Sequence, residues 1–268
     1  MSEMLFEIRD LRLSFADLAH KPLFGAAPRI EVLKGLNFDI PRGDVIGIVG
    51  GSGSGKSTLG RAMVRLLDVD SGQIRFDGTD ISQMDEATLR PLRRRIQMIF
   101  QDPMSSLNPR HRVATLIAEP LRLHGFDQVA ERVDFALSQV GLPLAFRNRY
   151  PHELSGGQRQ RVGIARAIAT EPEFILADEV VSGLDVSSQA QVLNLLEKLV
   201  SDMGLTLGFI SHDLSVVRRL CKTTLVLHQG KIVEQASTQA LFDAPQAQYT
   251  RDLLDAIPLP EVTPGWLD

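Results

Sequence analysis

One short stretch of this chain has the composition of a phosphate-binding loop. Residues 50–57 read Gly-Gly-Ser-Gly-Ser-Gly-Lys-Ser, follow the apolar run Val45–Val49 and lead into a helical pattern that begins at Lys56. Glycines let the backbone turn so that several N–H groups point at one anion, and the helix N-terminus adds partial positive charge. Strand, loop and helix in this order are the context that the P-loop motif requires.

Side chains in and after this loop supply the remaining chemistry. Lys56 is expected to bridge the β- and γ-phosphates of ATP, and the Ser57 hydroxyl is expected to bind Mg²⁺. The apolar run Phe174–Asp178 predicts a buried strand whose final carboxylate, Asp178, suits the Mg²⁺ shell. Glu179 follows it and could polarise an attacking water. The nucleotide-binding positions predicted here are Gly50, Gly51, Ser52, Gly53, Ser54, Gly55, Lys56, Ser57 and Thr58.

A second glycine pair opens a helical pattern later in the chain. Residues 154–158 read Leu-Ser-Gly-Gly-Gln. Ser155 is a favourable N-cap, and Gly156 and Gly157 leave N–H groups exposed at the positive end of the helix. Alone, such a segment is a helix cap, and many strands end in acidic residues. Because the P-loop and the Asp178-Glu179 carboxylates occur in the same chain, this Ser-Gly-Gly segment predicts a second anion site.

The elements that must position these residues predict an α/β fold. Short apolar runs alternate with helical patterns, which favours a largely parallel sheet built from βαβ units. The expected strands of the sheet are Val45–Val49, Ile96–Phe100, Phe174–Asp178 and Leu207–Ser211. The expected helices are Lys56–Leu67, Gly156–Ala169, Val186–Met203 and Leu214–Leu220.

Other regions break this alternation within a single domain that spans residues 1–268. Two alternating strands, at 6–15 and 30–40, predict an antiparallel edge on a core formed by residues 1–101 and 171–235. Residues 102–170 are interpreted as an inserted helical subdomain, because they contain helical patterns and no convincing strand. The subdomain helices are expected at 113–123 and 129–140, a hairpin is expected around Gln229-Gly230, and a C-terminal helical tail is expected at 236–268.

Composition narrows the classes of partner. The net charge of −4 gives no chain-wide basic field, so nucleic acid is not an expected partner. The single cysteine, Cys221, excludes an intrachain disulfide and fits a reducing compartment. Neither a signal peptide nor a run of about 18 apolar residues is present, so a partner chain would have to hold this protein at a membrane. The basic cluster at Arg90 and 93–95 is interpreted as a solvated face, with an anion or lipid-headgroup contact as the alternative.

The chain resembles the nucleotide-binding subunits of the ABC superfamily over essentially its whole length. The resemblance rests on the P-loop, the carboxylate pair and the segment Leu154–Gln158. The resemblance implies a P-loop NTPase core with an antiparallel β edge and an inserted helical subdomain. It also implies a head-to-tail dimer in which each ATP lies between one P-loop and the partner's signature segment. Ser155, Gly156, Gly157 and Gln158 would then act in trans.

The same resemblance gives roles to residues that carry little signal alone. Gln101 matches a glutamine that contacts Mg²⁺ and water. His212 matches a histidine that contacts the γ-phosphate. Without the resemblance, a histidine at the end of a strand is more often structural. Asp185 closes a D-loop that begins at Ser182. Phe15 matches an aromatic that stacks on adenine, with core packing as the alternative.

Three further stretches, 57–62, 101–109 and 249–254, resemble importers of dipeptides, oligopeptides and nickel. Such systems use two different ATPase chains, and the loop 16–29 resembles the second of the pair. The resemblance implies a heterodimer (or a homodimer in isolation), two transmembrane permeases docked near 102–125, and an extracytoplasmic solute-binding protein acting indirectly. It places the chain peripherally on the cytoplasmic face of the plasma membrane. The alternative is a soluble ABC ATPase that acts on nucleic acid or ribosomes.

The chain departs from the family pattern at two positions beside the carboxylate pair. Val180 stands where proline is usual, and Gly183 replaces the usual alanine. The tail also lacks the cysteine cluster of some relatives, so no iron–sulfur site is expected.

Overall fold

Two β-sheets organise the residues that the computed structural model describes, which are 3–21, 25–102 and 106–256. One sheet has the strand order β10-β9-β3-β8-β7-β6, and the other has the order β2-β1-β4-β5. The strands are β1 Met4–Ala16, β2 Arg29–Pro41, β3 Val45–Val49, β4 Ser71–Phe76, β5 Thr79–Asp80, β6 Ile96–Ile99, β7 Phe174–Asp178, β8 Thr206–Ile210, β9 Thr223–His228 and β10 Lys231–Ser237.

Helices cover and extend these sheets. The α-helices of the described residues are α1 Lys56–Met63, α2 Glu86–Arg93, α3 Val113–Leu123, α4 Val129–Gln139, α5 Gly156–Ile168, α6 Val186–Met203, α7 Leu214–Leu220, α8 Thr238–Asp243 and α9 Gln248–Asp255. Short 3₁₀ turns occupy Leu18–His20, Leu144–Asn148 and Pro151–Glu153. In the described part of the chain, none of these helices is both long and apolar enough to span a bilayer.

The larger sheet confirms the predicted parallel core. Strands β6, β7, β8, β3 and β9 run parallel, and β10 returns antiparallel beside β9. Every residue of β3, β7 and β8 is buried, which explains their nearly continuous apolar sequences. Their carboxyl ends therefore open on one edge of the sheet, where ligands of such folds bind.

The predicted antiparallel edge is a complete second sheet. β1 and β2 pair as expected, with Phe6 opposite Ile40 and Phe15 opposite Ile30. Strand β4 then adds to β1 and β5 adds to β4; both were missed, as was helix α2. Strand β4 buries only two of its residues, Ile74 and Phe76, so its apolar pattern is too weak to stand out. Residues 22–24 of the predicted loop 16–29 lie outside the described residues.

Apolar side chains join the two sheets. The Phe6 ring of β1 lies 4.7 Å from the Phe174 ring of β7 and 5.0 Å from the Phe76 ring of β4. Leu59 of α1 belongs to the same buried cluster, so this packing fixes the helix that follows the P-loop against both sheets. A second cluster joins the other face of the parallel sheet to α3, α4, α5 and α6.

The inserted region is helical, as predicted. Helices α3, α4 and α5 pack on one another, and no strand occurs among the described residues of 102–170. The hairpin around Gln229-Gly230 also forms, between β9 and β10. Two helices, α8 and α9, follow it, and the rest of the predicted tail, 257–268, lies outside the described residues.

An ion-pair network ties the two sheets together at the amino ends of β6 and β7. Arg42 and Arg95 each bind both Glu173 and Asp77. The interpretation of the basic cluster as a solvated face is therefore wrong for Arg95. Hydrogen bonds from Arg95 and Arg42 outweigh partial burial and lower the pKa of Glu173 to about 2.

Replacing Glu173 with glutamine is expected to lower the free energy of unfolding at neutral pH by about 1–3 kcal/mol, because two arginines lose a shared charge. The folded-state pKa lies below the ordinary value of 4.5, so this stabilisation is present above that pH. It is lost as the pH falls toward about 2, and the difference between wild type and variant should shrink accordingly. Urea unfolding at neutral and acidic pH measures both effects.

Glu197→Gln is the control for this measurement, because Glu197 pairs with Arg219 at an exposed position. Its effect should stay below about 0.5 kcal/mol. Equal losses in the two variants would contradict the role given to the network.

Candidate functional site

The loop after β3 is shaped by close backbone contacts. Gly50 has a φ of 148°, and a Cβ at this position would lie 2.1 Å from the Leu227 carbonyl oxygen of β9. Gly55 has a φ of 106° and is the N-cap of α1, which begins at Lys56 as predicted. Both conformations suit glycine, so the loop folds tightly over the carboxyl ends of β3 and β9.

Lys56 is buried and bends back over its own loop. Its Nζ donates hydrogen bonds to the Gly50 oxygen at 2.8 Å and the Gly51 oxygen at 3.0 Å. Burial lowers the pKa of this ammonium, while the negative charges of Glu179 and Asp178 oppose the shift. The loop thus contains a cation that can exchange carbonyl oxygens for phosphate oxygens.

Ser57 and Asp178 meet at the start of α1 and the end of β7. The Ser57 Oγ donates to Asp178 Oδ1 at 3.0 Å, and Asp178 is almost completely buried. Burial raises the pKa of this carboxyl, against the opposing effects of the Ser57 hydrogen bond and the Arg61 charge. Sequence reasoning missed Arg61, whose Nη2 lies 4.0 Å from Asp178 Oδ2. The signal was its position four residues after Ser57, on the same helix face.

Glu179 is bracketed by two residues that are distant in sequence. Gln101 Nε2 donates to Glu179 Oε2 at 2.8 Å, and His212 Nδ1 lies 3.6 Å from Glu179 Oε1. The Glu179 backbone has a φ of 49°, and its N–H donates to the Ile210 oxygen at the end of β8. The turn after β7 thereby places this carboxylate between the ends of β6 and β8.

A cleft of about 550 Å³ opens in front of these groups. Its wall includes Glu179, His212 and one residue that sequence reasoning missed, Val32 of β2. A single valine in a strand carries no distinguishing signal. Phe15 is exposed at the far end of β1 and does not line the cleft. The predicted loop residues that do line it are Ser52, Gly53, Gly55, Lys56, Ser57 and Thr58.

The Ser-Gly-Gly segment forms the predicted helix cap away from this cleft. Ser155 Oγ accepts from the Gln158 N–H, and Gln158 Oε1 accepts from the Ser155 N–H, which is a reciprocal capping box. A Cβ on Gly157 would lie 3.3 Å from Ser188 Oγ, so the cap sits beside the start of α6. Asp185 caps that helix by accepting from the Ser188 N–H at 2.8 Å. Residues 155–158 do not line the cleft of their own chain.

The two departures after Glu179 fit their surroundings in the fold. Gly183 has a φ of 73°, a conformation in which alanine would be strained. Val180 is buried in the cluster that contains the signature helix α5. Gly183 therefore suits the positive φ of the turn that leads to Asp185.

A phosphate-binding loop, a carboxylate strand beside it and a capped Ser-Gly-Gly helix on one α/β scaffold define an ATPase of the P-loop class. The family model described as ABC transporter matches residues 33–182. A putative peptide import ATP-binding protein of Brucella ovis is 52% identical over 87% of this chain and 74% of its own length. The oligopeptide transport ATP-binding protein AppF of Bacillus subtilis is 47% identical over 96% of this chain and 79% of its own.

Solved structures agree with this match. The ATP-binding cassette MJ0796, in a dimeric post-hydrolysis state bound to ADP and Pi, is 28% identical with a TM-score of 0.76 and covers 87% of this chain and 98% of its own. The cbiO1 structure from Clostridium perfringens is 29% identical with a TM-score of 0.78 and covers 90% of this chain and 92% of its own. The chain belongs to the ABC transporter family, and it is an ATPase cassette of that family.

Replacing Gly50 with alanine is expected to destabilise the fold by about 3 kcal/mol or more, because the added Cβ collides with backbone. Gly53→Ala is the matched control in the same loop: its φ is also positive, at 74°, but nothing lies within 4 Å of its Cβ. That variant should lose only about 1–2 kcal/mol. Thermal unfolding compares them, and equal losses would contradict the role of the Leu227 contact.

Proposed function

We propose that this chain hydrolyses ATP to power the uptake of a peptide-like solute through a membrane importer. The geometry that carries hydrolysis is the Glu179 carboxylate, held between Gln101 and His212 beside the P-loop. The similarity to proteins named for peptide import supports the solute class, since it extends over most of the chain at 46–52% identity. Nothing in the described residues favours the alternative that acts on nucleic acid.

Hydrolysis assigns a separate role to each side chain. Lys56 binds the β- and γ-phosphates, while Gln101 orients both the carboxylate and the attacking water. Glu179 accepts a proton from that water as general base. His212 contacts the γ-phosphate. The loop N–H groups and the start of α1 bind the phosphate oxygens from below.

The residues beside the P-loop fit a magnesium ion. The Ser57 hydroxyl and the Asp178 carboxylate are neighbours at hydrogen-bond distance, and oxygen atoms are the ligands that Mg²⁺ prefers. Gln101, whose Nε2 donates to Glu179, would supply a further side-chain oxygen. When bound, the ion neutralises charge that builds up on the β- and γ-phosphates.

A second subunit completes the site in this proposal. The capped helix start, Ser155 to Gln158, is exposed at Ser155 and Gly156 and does not line the cleft of its own chain. In a head-to-tail dimer it would bind the partner's ATP, and Asp185 of the neighbouring D-loop would lie at the same interface. Phe15 would stack on the adenine. The partner subunit is a second, related ATPase chain, and a homodimer can form in isolation.

A separate groove is the docking site proposed for the permeases. It has a volume of about 570 Å³ and lies between the parallel sheet and the helical subdomain. Leu66, Phe100 and Leu123 are exposed apolar side chains on its wall. Phe100 immediately precedes Gln101, so a permease segment seated in this groove would touch the chain next to the residue that contacts Glu179. The groove includes part of the predicted docking stretch 102–125, of which 103–105 lie outside the described residues.

This arrangement assigns functions to the regions of the chain. Residues 1–101 and 171–235 would bind and hydrolyse ATP. Residues 102–170 would carry the signature segment and one wall of the docking groove, whose other wall belongs to 1–101. Residues 236–268 are the proposed C-terminal tail. The two permeases would hold the chain on the cytoplasmic face of the membrane. An extracytoplasmic binding protein would deliver the solute to them.

Replacing Glu179 with glutamine is expected to reduce ATP hydrolysis at least about 100-fold, because the base is lost. ATP binding should persist, and the variant should accumulate as an ATP-bound closed dimer on gel filtration. Glu197→Gln, at an exposed ion pair on α6, should hydrolyse ATP at the wild-type rate. Steady-state ATP turnover by the Glu179 variant at a rate near that of wild type would contradict the role given to this carboxylate.

The solute class is tested by the same two variants in cells from which the gene has been deleted. Uptake of a labelled oligopeptide should be lost, then restored by wild type and by Glu197→Gln but not by Glu179→Gln. If deletion abolishes uptake of nickel and spares the peptide, the peptide assignment fails while the ATPase assignment stands.

Leu123→Glu is expected to abolish co-purification of the permeases from detergent-solubilised membranes, because it places a charge on the apolar wall of the groove. ATP binding by the isolated chain should not change. Leu144→Glu is the control, since Leu144 is 52% exposed outside the groove and Leu123 is 59% exposed within it. Loss of the permeases in both variants, or in neither, would contradict the docking site.

A further inference from the structure

A side chain of α9, the last helix of the described residues, touches the P-loop. The Gly51 N–H donates a hydrogen bond to the Tyr249 Oη at 2.8 Å, although the two residues are 198 positions apart. Tyr249 is the second residue of α9, and its side chain is half-buried against the core. The contact is tight, because a Cβ on Gly51 would lie 3.0 Å from the same oxygen.

The position of this tyrosine is fixed from two sides. Its ring lies on the His228 imidazole, with 3.8 Å between the ring centroids, and His228 ends β9. The start of α9 is held by Glu234 of β10, which accepts from the Gln246 and Ala247 N–H groups at 2.9 Å each. The phenol oxygen is thus positioned by the hairpin that also supports the outer side of the loop.

The loop turn at Gly51 is held from opposite directions. Its carbonyl oxygen accepts from Lys56 inside the loop, and its N–H binds Tyr249 outside it. When ATP binds, the lysine ammonium must turn to the phosphates and leave the Gly50 and Gly51 oxygens. Among the described residues, Tyr249 is then the side chain that still binds this turn from outside the loop. Its hydrogen bond is therefore expected to stabilise the turn more in the nucleotide-bound form than in the free form, where Lys56 also binds the turn.

We propose that Tyr249 is a positioning residue for nucleotide binding, which holds the Gly51 turn in place after Lys56 moves to the phosphates. The tail helix α9 acts through this hydroxyl as an outer support of the P-loop. This inference concerns nucleotide affinity and is independent of the transported solute.

Tyr249→Phe tests the proposal, because it keeps the ring on His228 and removes only the oxygen that accepts from Gly51. The dissociation constant for ATP, measured by titration calorimetry on the isolated chain, is expected to rise about three- to tenfold. The KM for ATP should rise by a similar factor. The kcat should stay within about twofold of wild type, since the reacting groups are untouched.

Tyr150→Phe is the matched control, because Tyr150 is the chain's only other tyrosine and its hydroxyl lies in the helical subdomain, accepting from Arg112 at 3.4 Å. This control should bind ATP with wild-type affinity. Tyr249→Ala separates packing from positioning: it should lower the melting temperature further than Tyr249→Phe while weakening ATP binding to a similar extent.

A Tyr249→Phe variant that binds ATP with the wild-type dissociation constant would overturn the inference. If Tyr249→Ala alone then weakened binding, the residue would be part of the packing only. Neither outcome bears on peptide uptake, which is tested in cells with other variants.

Discussion

The parallel register of three buried strands is the constraint on which the rest of the site depends. Ile48 of β3 lies opposite Ile210 of β8, and Ile210 lies opposite Asp178 of β7. The segments that follow these residues therefore leave the sheet side by side at one edge. A P-loop, a carboxylate pair and a histidine that are far apart in sequence share a cleft for this reason. A change of register in any of the strands would separate them.

Charge is concentrated at this edge at some cost in stability. Lys56 and Asp178 are both buried. Burial lowers the pKa of Lys56 and raises the pKa of Asp178, so it favours the neutral form of each group. Each charge offsets part of the desolvation of the other, and a polyanionic nucleotide would change this balance. The opposite ends of β6 and β7 carry the network around Glu173, where carboxylates and guanidinium groups are fully paired with one another. Fixed ion pairs thus hold the sheets together away from the edge where the pairing must change.

The P-loop has an inner and an outer side, and each is built by a different part of the fold. The inner side presents N–H groups and Lys56 to the cleft. The outer side rests on the β9–β10 hairpin, where the Gly230 N–H donates to the Ser54 oxygen and the Leu227 carbonyl meets Gly50. Tyr249 adds a side-chain contact to the same surface. The outer side of the phosphate-binding loop is therefore supported by the last third of the chain.

The sequence by itself determined the features that depend on local order. Glycine spacing after an apolar run predicts the P-loop because its turns need conformations that other residues avoid, and continuous apolar runs predict β3 and β7 because both faces of these strands are buried. Ser155 predicts its helix cap for a similar local reason. Tertiary structure alone decided the extension of the second sheet by β4 and β5, the Arg95 ion pairs and the contact of Tyr249 with Gly51. These contacts join residues that are remote in sequence and carry no periodic pattern, so only the packing of the two sheets and the tail brings them together.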